Sequence, residues 1–177
     1  PVTIDKVYTT DLGSDTNLCG GSIDLDASVN APVSYTWSTG QTDSVITANV
    51  TNIYWVEIDN NGCLYRDTIF VKVYFTPTAV FSWDSACEKQ AVQFNDSSYS
   101  NISSWVWNFG DGNSSNAKDP LHLYVAGSYT VSLNVFDGNG CTDSLSHNIV
   151  VDTGFVISID NDTTLCQDTL DISTYGP

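Results

Sequence analysis

The sequence predicts an all-β chain of tandem antiparallel sandwiches, and three observations predict it. Apolar and polar residues alternate over five or more positions in many separate stretches, the mark of half-buried strands. Val, Ile, Thr, Tyr, Phe and Trp recur throughout, and these residue types suit a pleated surface. Clusters of Asn, Gly and Asp punctuate the alternating stretches as turns. No helical period of useful length interrupts the pattern.

The first module is expected over residues 1–75. Residues 22–26 alternate, and Val33, Tyr35 and Trp37 alternate before the turn Ser38-Thr39-Gly40. Tyr54, Val56 and Ile58 line one face before the turn Asp59-Asn60-Asn61-Gly62, and Ile69, Val71 and Val73 line the last strand. Around Pro77 lies a short joint, because proline confines the preceding Thr76 to extended geometry. The second module is expected over residues 76–152, with strands at 80–83, 92–95, 105–109, 129–135 and 145–151. Tyr129, Val131, Leu133 and Val135 form its inward face. Residues 153–177 read as the first strands of a third, truncated module. A half-sandwich exposes an apolar face and open edges, so this module is expected to be completed by more chain or by another subunit.

The third module is visible as a repeat. Asp15-Thr16-Asn17-Leu18-Cys19 and Asp162-Thr163-Thr164-Leu165-Cys166 align without a gap, and the apolar positions Ile23 and Leu25 match Leu170 and Ile172. Repetition at domain scale signals an array. The five cysteines fall into the same frame: Cys19 and Cys63 in the first module, Cys87 and Cys141 in the second, and Cys166 left unpaired in this segment. A disulfide within each of the first two modules would close a loop of about 50 residues, worth about 4 kcal/mol in the chain-entropy model. No CxxC spacing is present, which disfavours zinc. Disulfides place the chain outside the cytosol, extracellular or at the cell surface.

Charge narrows the partners. Twenty-one acids face five bases, for a net charge of −16. Such a chain repels phosphate backbones, so nucleic acid is excluded as a partner. No run of 18 apolar residues is present, so direct membrane insertion is not expected.

Three ordered motifs carry a family resemblance over residues 77–152. They are Trp107-Asn108-Phe109-Gly110-Asp111-Gly112, then Asp119-Pro120-Leu121-His122-Leu123-Tyr124, then Gly127-Ser128-Tyr129-Thr130-Val131. The second module resembles a PKD (polycystic-kidney-disease-type) domain, with Asn108 where the family usually has Asp. The Cys–Trp–Cys order of Cys19, Trp37 and Cys63, repeated by Cys87, Trp107 and Cys141, resembles that of immunoglobulin-like domains. Modules one and three are similar to the immunoglobulin-like repeats of large secreted or surface proteins of Bacteroidota. This implies tandem immunoglobulin-like β-sandwiches arranged end to end. It also implies a stalk, adhesin or filament segment, carried by type IX secretion and without a reaction of its own. Its partners would be neighbouring modules of the same chain and sister chains. A carbohydrate- or host-surface-binding module and an accessory domain of a secreted hydrolase are the rival readings.

No catalytic or cofactor-binding residue is assigned, and no metal ligand. His122, beside Asp119, is the best base in the chain, and its expected role is a structural hydrogen bond. His147 is expected to face solvent. Asp59-Asn60-Asn61, Asp137-Gly138-Asn139 and Asp160-Asn161-Asp162 offer hard oxygens that suit calcium, although they also suit plain turns. Ser44, Thr68, Ser85, Ser144, Thr163 and Thr169 each follow an Asp, and most precede an aliphatic residue, similar to the O-glycosylation signal of Bacteroidota. Phe70 and Phe136 are expected on outer faces, against a neighbouring module, a sister chain or a glycan.

Overall fold

The computed structural model describes residues 10–153 and the backbone of residues 155–157 and 163–165. Among them every regular element is a strand. The chain divides into two compact units, residues 1–75 and 76–177.

Unit one has six strands: β1 (Thr16–Cys19), β2 (Ile23–Asp26), β3 (Ser34–Trp37), β4 (Val45–Ala48), β5 (Asn52–Asn60) and β6 (Cys63–Tyr74). One sheet runs β1-β6-β5-β3, and β2 pairs with β4 in the other. The expected alternation is what fills the space between them. Tyr54, Val56 and Ile58 of β5 and Ile69 and Val71 of β6 are buried, with Trp37, against Leu25, Ile46 and Ala48 of the second sheet. Asn61 and Gly62 both take positive φ, 52° and 89°, so the β5–β6 turn is the Asn-Gly type that matches strand twist. Asp59 Oδ1 accepts the Gly62 N–H across it at 2.7 Å. β1 runs parallel to the end of β6, with Thr16 opposite Val71 and Cys19 opposite Tyr74.

Unit two begins with β7 (Phe81–Trp83), β8 (Ala91–Asp96), β9 (Ile102–Asn108), β10 (Ser114–Ser115), β11 (Leu121–Leu123), β12 (Gly127–Asp137) and β13 (Thr142–Val151). Sheets β10-β9-β12-β13 and β11-β8-β7 enclose a core of Phe81, Val92, Phe94, Trp107, Phe109, Val131, Leu133, Val135 and Ile149. Both sandwiches bury a tryptophan at the centre, and each indole N–H is satisfied. Trp37 Nε1 donates to the Asp43 carbonyl at 2.8 Å and Trp107 Nε1 to the Ala117 carbonyl at 2.9 Å. A buried donor without an acceptor would cost about 1–3 kcal/mol. Beyond Val151 the backbone of β14 (Phe155–Ile157) and β15 (Thr163–Leu165) pairs antiparallel, Phe155 opposite Leu165. The rest of the region expected to open a third module, Cys166 and Thr169 included, lies outside the described residues.

The cysteine pairing departs from expectation. Cys63 is a free, exposed thiol, while Cys19, Cys87 and Cys141 are each disulfide-bonded. The expected Cys19–Cys63 bridge fails on strand geometry. Cys63 opens the 12-residue β6 and Cys19 stands opposite Tyr74, which closes it. At about 3.3 Å per residue the two ends lie roughly 35 Å apart, against the 7 Å or so that a disulfide spans between Cα atoms. Unit two repeats the arrangement. Cys141 immediately precedes the ten-residue β13, while Cys87 pairs in parallel with Asp152, just past its end. Cys87 and Cys141 are therefore bonded, but not to each other. Sequence order places two cysteines in each module, and only the strand path reveals that they occupy opposite poles.

Candidate functional site

Among the described residues, a dense group of polar and aromatic side chains lies where the chain leaves β9, beside β11 and the start of β12. Gly110 has φ +81°, a conformation that side chains other than glycine rarely adopt. It turns the chain so that Asp111 faces β11. Asn108 Oδ1 accepts the Gly110 N–H at 2.9 Å, so the residue that departs from the family pattern caps the turn as an aspartate would. Asp111 Oδ1 accepts the Asn113 N–H, and Asp111 Oδ2 lies 2.7 Å from His122 Nε2. The imidazole is stacked flat on Phe109, with centroids 4.0 Å apart and planes at 4°, and meets the Tyr124 ring edge-on at 4.5 Å. Tyr124 is buried, and its hydroxyl donates to the Phe109 carbonyl at 3.0 Å. The Tyr129 hydroxyl donates to the Val125 carbonyl, also at 3.0 Å.

Electrostatics agree with a closed structural group. Partial desolvation pushes the Asp111 carboxyl up. The hydrogen bond from His122, with two more from Asn113, outweighs that push and holds it below the ordinary carboxylate value. Burial first, and the Asp111 charge second, raise the Tyr124 phenol above its ordinary value, so it stays a neutral donor. The expected structural role of His122 stands, but its partner is Asp111 rather than Asp119. Asp119 Oδ1 accepts the Asp96 N–H at 2.8 Å, and Asp96 Oδ2 in turn accepts from Trp105 Nε1 at 2.8 Å.

His147 does not face solvent as expected. It shares the parity of Leu145 and Ile149 and so the same inward face, with ring contacts to Phe81 at 5.0 Å and Trp83 at 5.4 Å. Two of the acidic clusters that suit calcium use their oxygens in their own turns. Asp59 does so as described above. Asp137 is buried and receives the Asn139 side-chain amide together with the N–H groups of Asn139 and Cys141. Its carboxyl is held low, chiefly by the Asn139 amide. Among the described residues no group of three or more His, Cys, Asp or Glu is placed to hold a metal ion. The third cluster, at 160–162, lies outside the described residues.

Of the hydroxyls expected to carry glycans, Thr68 and Ser144 are exposed on β6 and β13, Ser85 is exposed in a loop, and Ser44 is half-buried. The side chain of Thr163 and all of Thr169 are outside the described residues. The aspartates in two of these triplets have a role the sequence reading missed. Asp67 Oδ2 accepts the Leu12 N–H at 2.7 Å, and Asp143 Oδ2 accepts the Ala79 N–H at 2.8 Å. Each pins the entering segment of its own unit to the last strand. Also missed was the outer face of β5 and β6. There Ile53 is 56 % exposed, the Arg66 guanidinium lies 4.0 Å over the Trp55 ring, and the Lys72 ammonium lies 4.6 Å from the Tyr74 ring. The parity of these positions, opposite to that of the buried set, was the signal available in the sequence.

The motifs and their geometry define an immunoglobulin-like sandwich of one particular kind. Residues 75–152 match the family model described as the PKD domain, and the second unit thus carries a PKD domain. A 51-residue stretch is 43% identical to a microbial collagenase of Vibrio alginolyticus, covering 28% of this chain and 6% of that protein. A 54-residue stretch is 44% identical to the pre-pro-metalloprotease PrtV of Vibrio cholerae, covering 30% of this chain and 6% of the relative. The match therefore spans only a small fraction of the curated relatives. Among solved structures, the PKD1 domain of Vibrio anguillarum Epp is 30% identical, with TM-score 0.43, over 45% of this chain and 98% of that one. The PKD1 domain of Vibrio cholerae PrtV is 35% identical, with TM-score 0.42, over 45% of this chain and all of that one.

Proposed function

We propose that this chain is a non-catalytic structural segment of an extracellular protein, a spacer of successive sandwiches in a stalk, adhesin or filament. One observation carries the reading. The most site-like constellation among the described residues, Asp111 with His122 between Phe109 and Tyr124, directs its polar atoms and ring faces into holding a loop against its own sheet. The PKD match and the disulfide-bonded cysteines support an extracellular module, and the net charge of −16 supports solubility at high local density. The exposed hydroxyls of Thr68, Ser85 and Ser144 are accessible to O-glycosylation, as a surface protein of Bacteroidota would require. Excising residues 76–152 from the parent protein and replacing them with an unrelated sandwich of equal length tests the spacer role. Retained surface function is the expected result, and loss of function with normal export overturns it.

A second reading rests on the outer face of unit one. Trp55 under Arg66 and Tyr74 beside Lys72 form an aromatic and cationic surface, whose guanidinium and ammonium N–H groups can donate to sugar hydroxyls beside the rings. This ligand-binding role predicts retarded migration through gels containing a soluble polysaccharide, abolished by Trp55→Ala. The spacer role predicts equal migration of both proteins. The stretches shared with a collagenase and a metalloprotease support a related variant, an accessory domain of a secreted hydrolase.

A further inference from the structure

We infer that Cys63 is a linking thiol: it forms a disulfide with a cysteine of another module, one placed as Cys19 is, beside the end of that module's last strand. The inference rests on the modular reading above for the nature of the partner, and on the strand geometry for everything else.

Each sandwich carries one cysteine at each pole. Cys63 follows the turn residues Asn61-Gly62 and opens β6, and Cys141 follows Asn139-Gly140 and directly precedes β13. The two occupy the same place in the two folds, because β6 pairs with β5 as β13 pairs with β12. At the other pole Cys19 lies parallel to the end of β6, and Cys87 forms a parallel bridge just past the end of β13. Within either sandwich the two cysteines are about ten residue steps apart along one strand, far beyond disulfide reach. A staple inside the module is thereby excluded for both.

Cys141 is nevertheless disulfide-bonded, and so are Cys19 and Cys87. The position that Cys63 occupies is therefore one that takes a disulfide in its sister module, where the module's own other cysteine is out of reach. Cys63 itself is exposed and carries a free thiol. An exposed thiol is a liability in an oxidising compartment unless it has an assigned partner. Its counterpart is a first-pole cysteine, of the kind set in Asp-Thr-x-Leu-Cys at Cys19 and Cys166.

Forming the bond removes two protons and two electrons from the two thiols. A protein thiol–disulfide oxidoreductase of the compartment accepts them, its own disulfide becoming a dithiol.

The test is peptide mapping of the native protein from its source, alkylated with iodoacetamide before any reduction and digested without reductant. The expected result is a Cys63 peptide without an alkyl group, joined to a peptide bearing Asp-Thr-x-Leu-Cys or its close equivalent. Electrophoresis without reductant separates the two sources of that cysteine. A monomer band places it on the same long chain, and a ladder that collapses on reduction places it on a sister chain. Recovery of alkylated Cys63, or of Cys63 joined to the Cys19 peptide in protein that runs as a monomer without reductant, overturns the inference. Either result leaves the spacer role standing, because domain replacement reads that role independently.

Discussion

A Cβ added to Gly110 would stand 2.5 Å from the carbonyl oxygen of Thr130, at a residue whose φ is +81°. The obstacle is backbone of the β12 strand, which cannot swing aside as a side-chain tip can. Gly110→Ala therefore meets both a left-handed backbone and a steric clash. We expect a loss of about 3 kcal/mol for unit two. Urea unfolding followed by tryptophan fluorescence measures it. A loss under 1 kcal/mol would show that the turn relaxes freely. Gly112→Ala is the control: its φ is +94°, but a Cβ there meets nothing within 4 Å, so the cost should be the smaller backbone term alone.

Acid should loosen unit two through Asp111 and Asp137. Both carboxyls are held below the ordinary value in the folded chain, Asp111 by His122 and Asn113 against its own desolvation, Asp137 chiefly by Asn139. A carboxyl depressed on folding contributes its full stability above its unfolded value, about pH 4, and loses it as pH falls through the folded value. The melting temperature should be flat from pH 7 to pH 5 and drop below about pH 4. Asp111→Asn should lower stability by about 1–2 kcal/mol at neutral pH and flatten part of the acid slope. A slope unchanged in this variant would remove Asp111 from the account.

Trp37→Phe and Trp107→Phe test the two central indoles. Each substitution leaves a cavity and removes the indole hydrogen bond to a backbone carbonyl, that of Asp43 in one unit and of Ala117 in the other. We expect about 2–4 kcal/mol from each, confined to the unit that bears it. Two-transition melting curves resolve the units. A change spread equally over both transitions contradicts the prediction.

Reduction of the disulfides should leave each sandwich intact. A staple inside a module would contribute about 4 kcal/mol to that module. Neither module has one, because its cysteines lie at opposite poles. Dithiothreitol should therefore leave the circular dichroism spectrum unchanged and lower the unfolding free energy of either unit by less than about 1 kcal/mol. A loss near the full staple value would show that a bridge does close one sandwich.

Asp67→Ala and Asp143→Ala should each cost about 1–2 kcal/mol, because the Leu12 and Ala79 N–H groups lose a charged acceptor. Hydrogen exchange at those two amides, faster by an order of magnitude or more, checks it.

The sandwich class, the alternating core of β5, β6, β12 and β13 and the PKD motifs were legible in the sequence, because period-two burial leaves its mark on residue type. The motif tyrosines Tyr124 and Tyr129 each donate to a backbone carbonyl, of Phe109 and of Val125. What escaped was everything set by chain path rather than by composition. Cys19 and Cys63 fall into one module by order yet sit at the two ends of one strand. His122 was read beside Asp119, its neighbour in sequence, whereas the Gly110 turn delivers Asp111 to it. His147 was misplaced by a parity that the sequence does contain, since its position matches that of Leu145 and Ile149. The outer-face row of Trp55, Arg66, Lys72 and Tyr74 was available by the same rule.

The parallel pairing of β1 with the end of β6 has a mechanical consequence. Tension applied to the two ends of unit one pulls β1 and β6 in opposite directions along their common axis. The hydrogen bonds from Thr16 to Cys19 are then loaded in shear and must fail together, whereas bonds at a peeled edge fail one at a time. A unit connected in this way yields at high force and abruptly, which suits a chain that must bear load between two anchored points.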